Sequence, residues 1–142
     1  MFIEKFGDFV MDGDTIKCVV DGFECVATLH RDDDAGDPSE RDEGFFPEIE
    51  DYEDSAEFHA EYERMTEIYL AWERDEWHFY GVAVTVYKAG ILLTHKYHHA
   101  IWGIEGNYPG SDNGYLSDVI NEHGLLDDAL DAARAKIKEL GA

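Results

Sequence analysis

The chain has 142 residues, 44% hydrophobic and 13% aromatic, enough to build the core of one domain spanning residues 1–142. It carries 33 Asp and Glu against 11 Lys and Arg, a formal charge of −22 at pH 7. That balance argues against direct binding to nucleic acid or to an anionic membrane, both of which select clustered Lys and Arg. Charge of one sign at this density also works against the compact state, so it requires a reason in environment or function.

Met1-Phe2-Ile3-Glu4-Lys5 lacks the basic start and apolar run of a signal peptide, and no stretch reaches the roughly 20 apolar residues of a membrane span, which predicts a soluble, cytoplasmic protein. A first strand is expected over Phe2 to Met11, then a turn at Asp12-Gly13-Asp14. Next come two alternating apolar runs, TIKCVV and FECVATL, joined by Asp21-Gly22. Asp-Gly in that setting signals a type I′ hairpin, pairing Val20 with Phe23, Val19 with Glu24 and Cys18 with Cys25. The cysteines become neighbours in a hydrogen-bonded pair, with Cα atoms about 5.5 Å apart, a distance that permits a disulfide. A reduced pair on the core face, beside Ile16, Val20, Phe23 and Ala27, suits a cytosolic setting better.

Residues 31–54 form an acidic segment in which Gly36, Pro38, Gly44 and Pro47 forbid long regular structure. Phe45, Phe46, Ile49 and Tyr52 supply apolar anchors, so the segment reads as a long loop pinned to the body. Asp54 or Ser55 caps a helix assigned to 55–76, its apolar face Phe58, Tyr62, Met65, Tyr69 and Trp72 and its outer face Glu57, Glu61, Glu63, Glu67 and Glu73. Residues 77–105 read as a β-hairpin turning at Lys88-Ala89-Gly90. The turn-rich stretch EGNYPGSDNGY leads into two helices within 112–140, the last starting near Asp127 with Leu126, Leu130, Ala133, Ile137 and Leu140 on one side. The expected fold class is α+β: an antiparallel sheet of four to five strands, about three helices and a long acidic loop.

Motifs for catalysis and metal binding are weak. Aligning Gly36 with the glycine of an EF-hand loop puts Arg31 at its first ligand position, so the pattern fails, and no cofactor or metal is expected. His95, His98 and His99 lie close in sequence, with His78 in the partner strand. On a strand, His95 and His99 stand about 13 Å apart and His98 faces the other way, so the three do not share one zinc. A metal- or ligand-binding enzyme using this strand is one alternative reading, and a virion structural or assembly protein is another. There is no Gly-x-Ser-x-Gly elbow, Walker loop or Gly-x-Gly-x-x-Gly, and a carboxylate pair carries no information among 33 acids; no catalytic residue is assigned.

The charge is the signal that remains. Thirteen acids fall between Asp32 and Glu57 against one arginine, Arg41, a clustering that weakens a reading as halophilic adaptation, which spreads acids evenly, while the acidic carboxyl-terminal region keeps that reading open. Asp32, Asp33, Asp34, Asp37, Glu40, Asp42, Glu43, Glu48, Glu50, Asp51, Glu53, Asp54, Glu57 and Glu61 are the candidate partner-binding residues, an array resembling the spaced charges of a nucleic-acid backbone. Phe45, Phe46 and Tyr52 either anchor the loop or fill a pocket on the partner. The expected partner is a basic nucleic-acid-binding protein or complex.

The run His30-Arg31-Asp32-Asp33-Asp34-Ala35-Gly36-Asp37-Pro38, a later aromatic strand and Trp102-Gly103-Ile104-Glu105 resemble parts of a loosely related group of small acidic proteins encoded by phages and plasmids of proteobacteria. The chain departs from that group where a Trp often follows the Pro and a His-Gly-His lies further on. The resemblance implies an accessory gene of a mobile element acting in the cytoplasm of a bacterial host. Small acidic proteins in that setting often look like anti-restriction or anti-CRISPR inhibitors, some of them DNA mimics. The resulting expectation is a non-enzymatic counter-defence inhibitor that occupies the DNA-binding surface of a CRISPR effector or restriction enzyme.

Overall fold

A computed structural model describes residues 1–141. Its elements are β1 (Thr15–Val20), β2 (Phe23–Arg31), α1 (Pro38–Arg41), a 3-10 turn (Ile49–Asp51), α2 (Ser55–Glu73), β3 (His78–Lys88), β4 (Ile91–Leu92), β5 (Ala100–Gly106), α3 (Gly114–Glu122) and α4 (Leu125–Glu139). The five strands form one antiparallel sheet beside four α-helices, the expected α+β class. Among the described residues no helix is long and apolar enough to cross a membrane.

The β1–β2 turn follows the predicted register, Val20 opposite Phe23 and Cys18 opposite Cys25. Asp21 and Gly22 both adopt positive φ, 51° and 81°, as a type I′ turn demands. Both cysteines are free thiols, and burial, followed by the neighbouring Cys18, pushes the Cys25 thiol up to about 11.

β3 is the central strand, with β2 along one side and β4 and β5 along the other. The returning chain is interrupted, which corrects the expectation of an unbroken hairpin over 77–105. The Leu93 amide donates to the Val86 carbonyl, and the His99 carbonyl accepts from the Val84 amide. Residues 95–98 loop out between these contacts, so His95, His98 and His99 sit in and beside a turn instead of along a strand. The composition was right for β structure, but Thr94 takes one ladder position with its side chain, accepting from the Val86 amide at 3.2 Å, and the chain leaves the sheet there. A second irregularity places Trp102-Gly103 opposite Gly81, with Gly103 at φ 76°. This bulge lays the indole on Gly81, where a Cβ would meet it at 2.2 Å.

The expected strand over Phe2 to Met11 does not form. The segment alternates apolar residues, but its amides find side chains in place of a neighbouring strand: Phe6 N donates to Ser117 Oγ at 3.0 Å and Val10 N to Asn107 Oδ1 at 2.8 Å. Asn113, only 1% exposed, donates to the carbonyls of Gly7 and Asp8 and accepts from the Asn107 amide at 2.7 Å. Phe6 and Val10 are thereby drawn into the core.

That core lies between one face of the sheet and the pair α3–α4, joining Cys25, Ala27, Leu29, Val82, Val84 and Val86 to Leu116, Val119, Ile120, Ala129, Leu130 and Ala133. Each large aliphatic side chain so enclosed contributes about 1.5–3 kcal/mol relative to leaving it in water. α4 begins at Leu125, two residues before the expected start, because Gly124 at φ 62° opens it. Its expected apolar stripe runs out at the C-terminal end, where Leu140 is 62% exposed. A second, smaller core on the opposite face gathers Ala35, Phe45, Met65, Ile68, Ala71, Trp77 and Phe79. The buried side of α2 is accordingly Met65, Ile68 and Ala71, a rotation from the aromatic stripe expected; Tyr62 is 45% exposed. α2 ends at Glu73, and Trp77 turns inward to donate its indole N–H to the Ile68 carbonyl at 2.8 Å.

Candidate partner-binding surface

The acidic segment is ordered by contacts at both ends and in the middle. At its root Arg31 reaches Asp33 at 3.2 Å and Asp75 at 2.7 Å, while its amide donates to Asp12 Oδ1 at 2.8 Å. The Arg31 guanidinium holds the Asp75 carboxyl below its usual range against the opposing effect of burial. Beside them, burial and then Arg31 lower the His78 pKa, favouring a neutral ring. Nothing in the sequence flagged this cluster, because Arg31 and Asp75 stand 44 residues apart.

Further along, Asp37 caps α1, accepting from both the amide and the hydroxyl of Ser39, and receives the Tyr69 hydroxyl at 2.6 Å. Burial opposes ionisation of Asp37, but these bonds outweigh it and hold its carboxyl below the ordinary value. Arg41, though exposed, folds back over the loop: it donates to the Ala35 carbonyl at 3.2 Å, lies 4.7 Å over the Phe79 ring and passes close to Gly103. The one basic residue inside the acidic run thus serves as a clamp. Phe45 is buried, and Phe46 stacks near Tyr62 with centroids 5.4 Å apart. Tyr52 meets Phe58 at 5.8 Å, which ties the loop to the first turn of α2. Phe45, Phe46 and Tyr52 therefore anchor the loop to α2, while Ile49 stays 56% exposed.

The fourteen candidate carboxylates separate by environment. Asp32 is 9% exposed and accepts from the Asp34 amide, and Asp37 is engaged as described. Asp33 pairs with Arg31, and Glu61 is held in a two-pronged contact by Arg64 at 3.0 and 2.6 Å. The other ten, Asp34, Glu40, Asp42, Glu43, Glu48, Glu50, Asp51, Glu53, Asp54 and Glu57, are all exposed. Among the described residues none of these ten forms a salt bridge. Asp42 and Asp54 each use one oxygen to cap a neighbouring amide, those of Gly44 and Ala56. Residues 32–73 hold seventeen acidic and two basic residues, so fifteen of the chain's twenty-two net negative charges lie on the segment and α2. Between them opens a groove of about 620 Å³, lined by Glu43, Phe46, Glu48, Asp51, Tyr52 and Glu61.

The histidines fall in two separate places. The His98 and His99 rings stack at 5.2 Å and His95 lies 6.2 Å from His98. His78 pairs with Gly106, six residues along β3 from the bond made by His99, a separation of about 20 Å. Among the described residues no group of three or more His, Cys, Asp or Glu is arranged to hold a metal ion.

No protein-family model matches the chain, and no match was found among curated proteins or solved structures.

Proposed function

We propose that this chain is a non-enzymatic inhibitor that takes the place of nucleic acid on a basic protein surface, in the setting of phage or plasmid counter-defence against a CRISPR effector or restriction enzyme. The observation that carries the reading is the set of ten exposed carboxylates without basic partners, displayed on a segment that Arg31, Arg41, Phe45 and Tyr69 hold in place. Stability does not account for the array, since unpaired like charges repel, and an ordered array loses less entropy on docking than a disordered tail. The groove beside it combines carboxylates with aromatic faces, the chemistry that receives a guanidinium or ammonium group. Proteins that bind nucleic acid present those groups in quantity. The mobile-element setting rests on the sequence resemblance alone.

The test is a tagged pull-down from a bacterial lysate at about 0.15 M salt, comparing the wild type with a variant carrying Asn or Gln at the ten exposed positions. Recovery of one nucleic-acid-binding complex, released by added salt and missing with the variant, supports the proposal. Equal recovery with the variant, or only a diffuse set of basic proteins, refutes it.

A further inference from the structure

The N-terminal segment and the start of β3 border a cavity of about 650 Å³, separate from the groove beside the acidic array. Its size falls within the roughly 300–1,000 Å³ of small-molecule sites. Phe9 and Met11 line it and are 70% and 60% exposed, apolar surface that nothing else in the fold uses. Trp77 gives its indole N–H to the Ile68 carbonyl and so offers the cavity only its ring. Tyr80 differs. It is 6% exposed, yet among the described residues its hydroxyl has no hydrogen-bond partner, and the neighbouring Arg31 side chain is directed to Asp33, Asp75 and His78. Burial raises the Tyr80 pKa, with Asp75 and Asp12 adding to the effect, so the group stays a neutral hydroxyl that can donate or accept. A molecule filling the cavity must offer it a polar group or leave it unsatisfied.

Charge narrows the class. Three carboxylates, Asp12, Asp75 and Glu76, line the cavity against one arginine, Arg31. Arg31 is already engaged by Asp33 at 3.2 Å and Asp75 at 2.7 Å, which leaves no free cation to receive a phosphate or carboxylate. Burial and then Arg31 keep His78 neutral, so it adds no positive charge. Glu76 is held by Arg74 at 2.6 Å. Asp12 forms no ion pair among the described residues, and only one of its oxygens is used, accepting from the Arg31 amide. We propose that the cavity binds an organic cation, an ammonium or guanidinium head on an apolar stem, with the head at Asp12 and the Tyr80 hydroxyl and the stem against Phe9, Met11 and Trp77. Such a head comes from a free small amine or from a Lys or Arg side chain of a bound protein. The inference does not rest on the proposed function, since none of the ten open carboxylates lines this cavity.

Amide-resolved NMR of the isotope-labelled full chain at about 0.15 M NaCl tests it with two probes, phenethylamine and N-acetyl-arginine methylamide. The expected result is a set of shifts concentrated at residues 9–12, 31, 75–80 and 107, saturating with a Kd of about 1 mM or tighter for at least one probe. Tighter binding of phenethylamine assigns the site to a small amine, and tighter binding of the arginine probe assigns it to a protein side chain. N-phenethylacetamide keeps the stem and loses the charge. Tyr80→Phe removes only the hydroxyl, and Asp12→Asn keeps an oxygen for the Arg31 amide. The neutral amide, compared with phenethylamine, and each variant, compared with the wild type, are expected to bind at least about fivefold more weakly, with the Tm of both variants unchanged. No saturable shift at these residues up to about 20 mM of either probe overturns the proposal. Shifts confined to the acidic segment, equal affinity for the neutral amide, or undiminished affinity in either variant overturns it as well.

Discussion

Replacing Asn113 by Ala probes the joint that binds the N-terminal segment to the body. The side chain is 1% exposed and makes at least three hydrogen bonds: to the Asp8 carbonyl at 3.0 Å, to Asn107 Oδ1 at 3.0 Å, and from the Asn107 amide at 2.7 Å. At about 1 kcal/mol net per bond their removal costs about 3 kcal/mol. Asn113 also sits at φ 65°, where asparagine is tolerated and alanine is not, which adds about 1 kcal/mol. The expected loss is therefore about 3–4 kcal/mol, a large share of the roughly 5–15 kcal/mol of a domain this size. Asn113→Gly separates the two contributions, since it removes the bonds but relieves the backbone, and is expected to cost about 1 kcal/mol less than Ala. Urea unfolding at neutral pH measures both values, and hydrogen exchange at the Phe6 and Val10 amides reports whether the segment detaches. A loss below about 1 kcal/mol for Asn113→Ala, with exchange unchanged at those amides, refutes the assignment of Asn113 as the joint.

Other parts of the structure make equally definite demands. Gly103→Ala places a methyl group 2.7 Å from Arg41 Nη2 at a φ of 76°, so it is expected to dislodge the clamp and open residues 35–54 to limited proteolysis with little change in the α3–α4 core. Cleavage at the wild-type rate counts against the clamp. The depressed pKa of Asp37 contributes stability that is present above its ordinary value of 3.8 and lost as pH falls through the lower, folded-state value. Tyr69→Phe removes one of the bonds responsible, so the variant is expected to be less stable at neutral pH and to lose less than the wild type between about pH 4 and pH 2; parallel acid titrations contradict this. Cys25, fully buried with its thiol pushed up to about 11, is expected to stay unmodified by iodoacetamide in the native chain at about pH 8 and to react once unfolded. Mass spectrometry showing native Cys25 labelled refutes that.

Local signals were readable in the sequence, and distant ones were not. Asp21-Gly22 sets its own backbone conformation, which set the register of the first hairpin, although β2 runs on to Arg31, past the expected run. Phe45 and Phe46 marked a pinned loop because apolar anchors in a charged run set it apart from a free tail, and the fold packs both against α2. The N-terminal segment misled because alternation reports only that alternate residues are buried; its bonding partners Asn107 and Ser117 lie 97 and 111 residues away. The buried side of α2 was present as Ile68 and Ala71, but the larger aromatic residues drew attention to a neighbouring stripe. Among the candidate carboxylates, spacing alone did not distinguish Asp32 and Asp37, which the fold turns inward, from the ten it leaves open. The Arg31–Asp33–Asp75 contact at the base of the segment depends on β2 meeting the end of α2, and no local pattern announces it.

The most direct test of the account is the salt dependence of binding to the complex recovered in the pull-down, with DNA present as competitor. If the ten exposed carboxylates stand in for phosphates, affinity falls steeply between about 0.1 and 0.5 M salt, DNA and the chain exclude each other, and the Asn/Gln variant loses both properties. Affinity unchanged across that range, or DNA bound together with the chain at undiminished strength, contradicts the claim that the acidic surface is the functional one.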